Sequence, residues 1–289
     1  MPLSSINPEE PSAQEEPSSQ AELLSRAPAQ PALWLRAQTP ARVGLRRAGL
    51  SLATSELLDF QRAHARARDA VHASLQAHSL IAELHALKLS APMPEILLLH
   101  SQAAHRQTYL QRPDLGRQLN EASLSRIEHV HTGPYSLAII IADGLSSLAI
   151  ERHAPPLLAE LLLAISDVLP AIRLAPICIV EQGRVAIGDE VAHTLSASMA
   201  IVLIGERPGL SSPDSLGAYI TWKPQPGRTT DAERNCISNI RNEGLSYPEA
   251  AHRLVHYIQQ AGEKQATGIA LKDPDPIPAL PQPGKVPQP

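Results

Sequence analysis

Three short apolar runs separated by helix-length segments predict an α/β fold with a doubly wound, mainly parallel sheet, preceded by a helical N-terminal region. The runs are residues 137–142 (Leu-Ala-Ile-Ile-Ile-Ala), 176–180 (Pro-Ile-Cys-Ile-Val) and 200–204 (Ala-Ile-Val-Leu-Ile). They are β-branched and apolar at consecutive positions, as strands buried on both faces require. A leucine-rich segment over 156–168 and a second over 190–198 read as the intervening helices. The order strand, helix, strand, helix, strand then implies right-handed crossovers within one sheet. A fourth strand is expected at 218–222 (Ala-Tyr-Ile-Thr-Trp).

Residues 1–32 are rich in Pro, Ser, Glu, Gln and Ala without a sustained apolar period, a composition that buries too little surface to offset ordering. They are expected to form a disordered leader. Residues 33–105 form the helical N-terminal region, in which 55–71 place Leu57, Leu58, Phe60, His64, Ala67 and Val71 near one helical face. Seven arginines cluster here (Arg36, Arg42, Arg46, Arg47, Arg62, Arg66 and Arg68) among Glu56, Asp59 and Asp69, and read as a solvated or partner-facing surface. Residues 106–272 carry the sheet. Near its end, Thr230…Glu233 and Ser246…Glu249 have capping-box spacing; the first box would put Cys236 in a short helix. Residues 273–289 hold seven prolines and read as an extended tail.

A formal net charge of −4 with 3% aromatic residues argues against nucleic acid, which needs a basic surface and stacking platforms. No apolar run approaches the roughly 20 residues that span a bilayer, so no membrane association is expected. The N-terminus has neither a basic start nor an apolar core of a secretory signal, and Cys178 and Cys236 are too few for a disulfide framework. A cytoplasmic chain with reduced thiols follows.

Each predicted strand runs into a loop of small or turn-forming residues: 143–147 (Asp-Gly-Leu-Ser-Ser), 181–185 (Glu-Gln-Gly-Arg-Val) and 205–209 (Gly-Glu-Arg-Pro-Gly). In open α/β sheets the carboxyl ends of adjacent strands form the ligand crevice. Glycines there let backbone approach a large flat ligand, and Asp143 and Glu206 could hydrogen-bond its polar rim. The same residues also suit plain turns and surface charge, and pattern alone leaves both readings open. Neither G-x-G-x-x-G after the first strand nor G-x-x-x-x-G-K-[ST] is present, which weakens a stand-alone dinucleotide-dependent oxidoreductase as the alternative function. His129 and His131 lack further metal-ligand partners, and Cys236 lacks a recognisable base, so a buried small hydrophobe is its default.

Residues 109–119 (Tyr-Leu-Gln-Arg-Pro-Asp-Leu-Gly-Arg-Gln-Leu), 142–146 (Ala-Asp-Gly-Leu-Ser), 203–210 (Leu-Ile-Gly-Glu-Arg-Pro-Gly-Leu) and 234–240 (Arg-Asn-Cys-Ile-Ser-Asn-Ile) resemble, in order and spacing, successive signatures of the ethanolamine ammonia-lyase small subunit. With 41–43, 55–60, 183–185 and 266–269 the resemblance covers roughly residues 33–271. It implies a Rossmann-like domain over 106–272 that contacts adenosylcobalamin, and a large-subunit partner, a TIM barrel, that binds ethanolamine and hosts the conversion to acetaldehyde and ammonia. Carried over by motif, the cofactor-binding positions are Val185, Glu206 and Cys236, with no catalytic or metal-ligating residue in this chain. The string D-x-H-x-x-G, which marks a protein histidine as lower cobalt ligand, does not occur, so the cofactor's own base is expected to stay in place. A non-enzymatic scaffold subunit is the other alternative. Family members in bacterial microcompartments often begin with an amphipathic helix; Pro8, Pro11 and Pro17 interrupt one here, and compartment association is implied by the resemblance alone.

Overall fold

A computed structural model describes residues 36, 39, 41–89, 92–130 and 133–272. The leader over 1–32 and the tail over 273–289 lie outside the described residues. The chain divides into two compact units, Met1–Asp59 and Phe60–Pro289. In the first, β1 (Arg47–Ala48) and β2 (Ser51–Leu52) form an antiparallel hairpin whose turn contains Gly49 at φ +63°, a left-handed conformation that suits a residue lacking Cβ. Glu56 accepts from Arg36 Nη2 at 2.7 Å and Arg46 Nε at 3.3 Å. The Arg36 hydrogen bond foremost holds its carboxyl below the usual carboxylate range. Arg36, Arg42 and Arg46 are therefore engaged within the unit, Arg42 donating to the Asp59 carbonyl at 3.1 Å, although Arg46 stays largely exposed. Helix α1 (Thr54–His72) extends the expected 55–71 helix by one residue at each end.

In the second unit, six strands form one mixed sheet: β3 (Ile96–His100), β4 (Tyr135–Ala142), β5 (Ile177–Glu181), β6 (Ala197–Gly205), β7 (Leu216–Trp222) and β8 (Arg234–Ile240). Their spatial order is β3-β5-β4-β6-β7-β8; the first four are mutually parallel, and β7 pairs antiparallel with both β6 and β8. Alternate residues of β4 feed two cores. Leu137, Ile139 and Ile141 pack against α2 (Ala77–His85), α5 (Ser147–Val168) and α7 (Tyr247–Lys264). Ala138, Ile140 and Ala142 face α4 (Glu121–Val130) and α6 (Ile187–Thr194), which bring Ile127, Ile187 and Val191. Burial on both faces explains why these strands read as continuous apolar runs.

Several expectations change. Ile96–His100 is a strand of the main sheet, so residues 33–105 are not purely helical and the sheet begins before residue 106. Helix α5 starts at Ser147 and carries Pro155 and Pro156 inside it, whereas the sequence suggested a start at Pro156. Ser146 caps it by accepting from the Ala149 N–H at 3.3 Å, and Ile150, Ala154, Leu157, Leu158 and Leu161 form its completely buried face. Packing of that face outweighs the lost backbone hydrogen bonds of two prolines. The helix expected over 190–198 ends at Thr194, because Ser196 adopts φ +51° and Ala197 already belongs to β6. Helix α7 buries Ala250, Leu254, Tyr257, Ile258 and Ala261 as its periodicity implies, but Ser246 makes no side-chain capping bond; Pro248, at the start, needs no donor there. Among the described residues no helix is long and apolar enough to cross a membrane.

Candidate functional site

The chain leaves β4 for α5 on one face of the sheet and leaves the adjacent β5 for α6 on the other. The carboxyl ends of β4 and β5 therefore diverge, the arrangement that opens a crevice in α/β sheets. Here protein fills its floor. Asp143, the first residue after β4, is fully buried, accepts the Gly183 N–H at 3.0 Å and lies 3.7 Å from Arg106 Nη1. Arg106 donates Nη1 to the Gly144 carbonyl and Nε to the Val71 carbonyl, both at 2.7 Å. Tyr109, on α3 (Arg106–Gln111), donates its hydroxyl to the Gly183 carbonyl at 3.3 Å. Two guanidiniums approach its ring, Arg106 at 4.8 Å and Arg184 at 4.2 Å from the centroid. The Arg184 N–H donates to the Gly116 carbonyl at 2.7 Å, and a Cβ on Gly116 would meet Arg184 Cγ at 2.9 Å.

Asp143 was expected on a ligand's polar rim, and the structure corrects that: it is an interior group bonded to the β5–α6 loop. Burial pushes its carboxyl up to about 6, against the pull of Arg106 and the Gln182 and Gly183 N–H groups. Because the folded-state value is raised above 3.8, the native state holds the proton more tightly than the unfolded chain. The contribution is complete below about pH 4 and fades as pH rises through 6. Asp143→Asn keeps an acceptor for Gly183 and cannot titrate. We expect the stability of the native chain relative to this variant to fall by on the order of 2–3 kcal/mol between pH 4 and pH 7. Urea midpoints measured across that range check this, and a flat difference would mean that Asp143 does not titrate there.

Val185, Glu206 and Cys236 come from three separate segments and gather on the α6 side of the sheet. Val185, half-buried at the start of α6, packs on the same core as Tyr219 of β7. Glu206 follows β6 directly; its carboxylate accepts from the Ser215 hydroxyl and, at 3.3 Å, from the Asn239 N–H. It lies over Gly217, where a Cβ would come within 3.1 Å of Oε1. Gly217 and Tyr219 point to the same face because side chains alternate along a strand. Tyr219 is paired with Cys236 in the β7–β8 register, and Cys236 Sγ lies 3.3 Å from Ser238 Oγ. Burial, then Cys236 and Glu206, raise the Tyr219 hydroxyl above its ordinary range. The result is a shelf running from Glu206 past Tyr219 to Cys236, on the sheet face whose core Val185 also packs against.

Two expectations for Cys236 are corrected. The Thr230 N–H does donate to Glu233 at 2.7 Å, but this box starts a single 3-10 turn, Asp231–Glu233, and Cys236 lies in β8. Nor is it a buried hydrophobe: its side chain is exposed, since strand alternation turns Ile237 inward and Cys236 outward. Cys178, by contrast, is buried, and both thiols are free. Sequence reasoning also missed Arg234 and Asp189. Arg234 Nη1 and Nη2 meet the two Asp189 carboxylate oxygens at 2.7 Å each, and Nη1 reaches Thr221 at 3.0 Å. That pair ties β8, which carries Cys236, to α6, which begins beside Val185. Only the run of small polar residues around Cys236 hinted at it.

Residues 29–272 match the family model described as ethanolamine ammonia-lyase light chain (EutC). Proteins named ethanolamine ammonia-lyase small subunit from Pseudomonas syringae pv. tomato and Pseudomonas aeruginosa LESB58 are 51% and 52% identical, each over 86% of this chain and over 84% and 90% of the relative. One from Ralstonia nicotianae is 51% identical over 85% of this chain and 89% of its own length. A match of that extent shows that the chain belongs to the ethanolamine ammonia-lyase small-subunit (light-chain) family.

Proposed function

We propose that this chain is the cofactor-holding small subunit of an adenosylcobalamin-dependent ethanolamine ammonia-lyase, in which a Rossmann-like domain supplies one wall of the cofactor site and a large subunit supplies the other. The observation that carries this reading is the shelf. Glu206 and Val185, from the loops after β6 and β5, and Cys236, from β8, reach one side of the sheet, with Tyr219 between Glu206 and Cys236. A corrin is a broad, nearly flat ring rimmed with amides. The Glu206 carboxylate and Ser238 hydroxyl can accept amide N–H groups, Val185 offers an apolar contact, and Gly217 leaves Glu206 room beside the strand. These residues fit such a ligand.

When bound, the cofactor supplies the radical chemistry that breaks the substrate's carbon–nitrogen bond. The residues here bind and orient. Neither Glu206 nor Cys236 is assigned proton transfer to ethanolamine, which the large subunit would bind. A one-sided shelf gives a direct expectation: the isolated chain neither deaminates ethanolamine nor binds adenosylcobalamin tightly, and both properties appear on mixing with the large subunit. Co-purification followed by cofactor titration and an ammonia-release assay tests this, and submicromolar binding or turnover by the single chain would overturn it. The same reading places the complex in the cytoplasm. Microcompartment association is tested by deleting residues 1–32 and following where the chain sediments in fractionated cells.

A further inference from the structure

We propose that Tyr109 is a positioning residue for the cofactor-facing loop, its ring in contact with the Arg106 and Arg184 guanidiniums and its hydroxyl bonded to Gly183 so that Val185 is held at the cofactor-facing side of the sheet. This inference rests on the reading of the shelf as a cofactor wall. The loop between β5 and α6 is fixed at successive residues by partners from elsewhere in the chain. Gly183 is held at its N–H by Asp143 at 3.0 Å and at its carbonyl by Tyr109 at 3.3 Å. Arg184 is held at its N–H by Gly116 at 2.7 Å, while its Nη2 donates to the Tyr109 carbonyl at 3.2 Å. Val185 is the next residue and opens the first turn of α6, its carbonyl accepting the Gly188 N–H at 3.1 Å. Tyr109 is thus bound to the loop through its hydroxyl, its ring and its backbone carbonyl.

The composition of this plug is not what stability alone selects. Tyr109 has no exposed surface, yet it is surrounded by charged groups rather than aliphatic ones. Among the described residues Arg106 Nη2, Asp143 Oδ2 and Gln182 Oε1 are buried without a hydrogen-bond partner, each a cost of order 1–3 kcal/mol that an apolar plug would avoid. Directional bonds to a loop backbone fix its conformation in a way that apolar packing does not. Polar groups retained at such a cost are expected where geometry serves function. Position matters because a shift on the order of 1 Å in a supporting group weakens a preorganised site.

Two variants in the reconstituted two-subunit enzyme test this, with Ile165→Val as a control. Tyr109→Phe removes the bond to Gly183 and keeps the ring; Tyr109→Leu also removes the ring that the guanidiniums contact. Ile165 is a buried residue of α5, in the core on the other face of the sheet from α6, and its loss of one methyl costs about as much stability as one neutral hydrogen bond. The expected result is an adenosylcobalamin Kd raised about fivefold in Tyr109→Phe and more in Tyr109→Leu, with an unchanged Kd in Ile165→Val. Turnover at saturating cofactor should change less than twofold in Tyr109→Phe. Amide hydrogen exchange at Gly183 and Arg184 should quicken in Tyr109→Phe and not in the control. A folded Tyr109→Phe with native affinity and native exchange overturns the proposal, as does an equal loss of affinity in Ile165→Val. A native complex that binds no adenosylcobalamin would instead overturn the cofactor reading itself, and this inference with it.

Discussion

Asp189→Ala is expected to destabilise the chain by roughly 3–5 kcal/mol, because it leaves the enclosed Arg234 guanidinium with only the solvent-exposed Asp231 carboxylate, 3.4 Å from Nε. Both side chains of the pair are 2% exposed and meet through two parallel 2.7 Å bonds. Removing both charges at once is a different experiment. Asp189→Leu with Arg234→Met replaces the pair by apolar groups of similar size and should recover most of the loss, since no ion then has to be desolvated and none is left buried without its partner. Urea unfolding of the two single variants and the double variant measures this, and a single variant costing less than about 1 kcal/mol would show that water reaches the pair. The functional corollary concerns the shelf. With α6 and β8 no longer tied together, Val185 and Cys236 lose a fixed separation, so cofactor affinity in the complex should fall in the single variants even below their unfolding temperature.

Glu206→Ala should weaken adenosylcobalamin binding to the reconstituted complex about tenfold to a hundredfold, the 1.5–3 kcal/mol typical of a hydrogen bond to a charged group. Maximum turnover should change far less. A contact at the ligand's rim contributes similarly before and during reaction, and such uniform binding alters apparent affinity without altering the chemical barrier. Glu206→Gln separates charge from shape: it can still accept from Ser215 and the Asn239 N–H, so its affinity should lie between those of the native chain and the alanine variant. Titrating the cofactor against each complex, with turnover read at saturation, decides the matter; unchanged affinity in Glu206→Ala would remove that residue from the site.

Part of this structure is legible in the chain's local pattern. The runs at 137–142, 176–180 and 200–204 correspond to β4, β5 and β6, because a strand covered on both faces must be apolar at successive positions, a requirement met within the strand itself. The helix at Thr54–His72 and the buried stripe of α7 follow from period alone. The loops at 143, 183 and 205 could be singled out because strand ends followed by glycine are local events. The motifs that carry the family resemblance are local strings too.

What sequence by itself left undecided depends on partners distant along the chain. Ile96–His100 becomes a strand by pairing with Ile177–Glu181, some eighty residues away, and a short apolar run cannot announce such a neighbour. Helix α5 accepts two internal prolines because its buried face outweighs their local penalty, and Cys236 joins an edge strand because β7 offers hydrogen bonds where the capping box supports only one turn. Asp143, expected to face a ligand, is drawn inside by Arg106 and the Gly183 N–H. Tyr109 and Arg234 fall within the motifs that carry the resemblance, but nothing local shows what they bond to. A charged or aromatic side chain looks the same in sequence whether water or protein surrounds it; only the tertiary fold, by bringing remote partners within bonding distance and excluding solvent, gives these residues their roles.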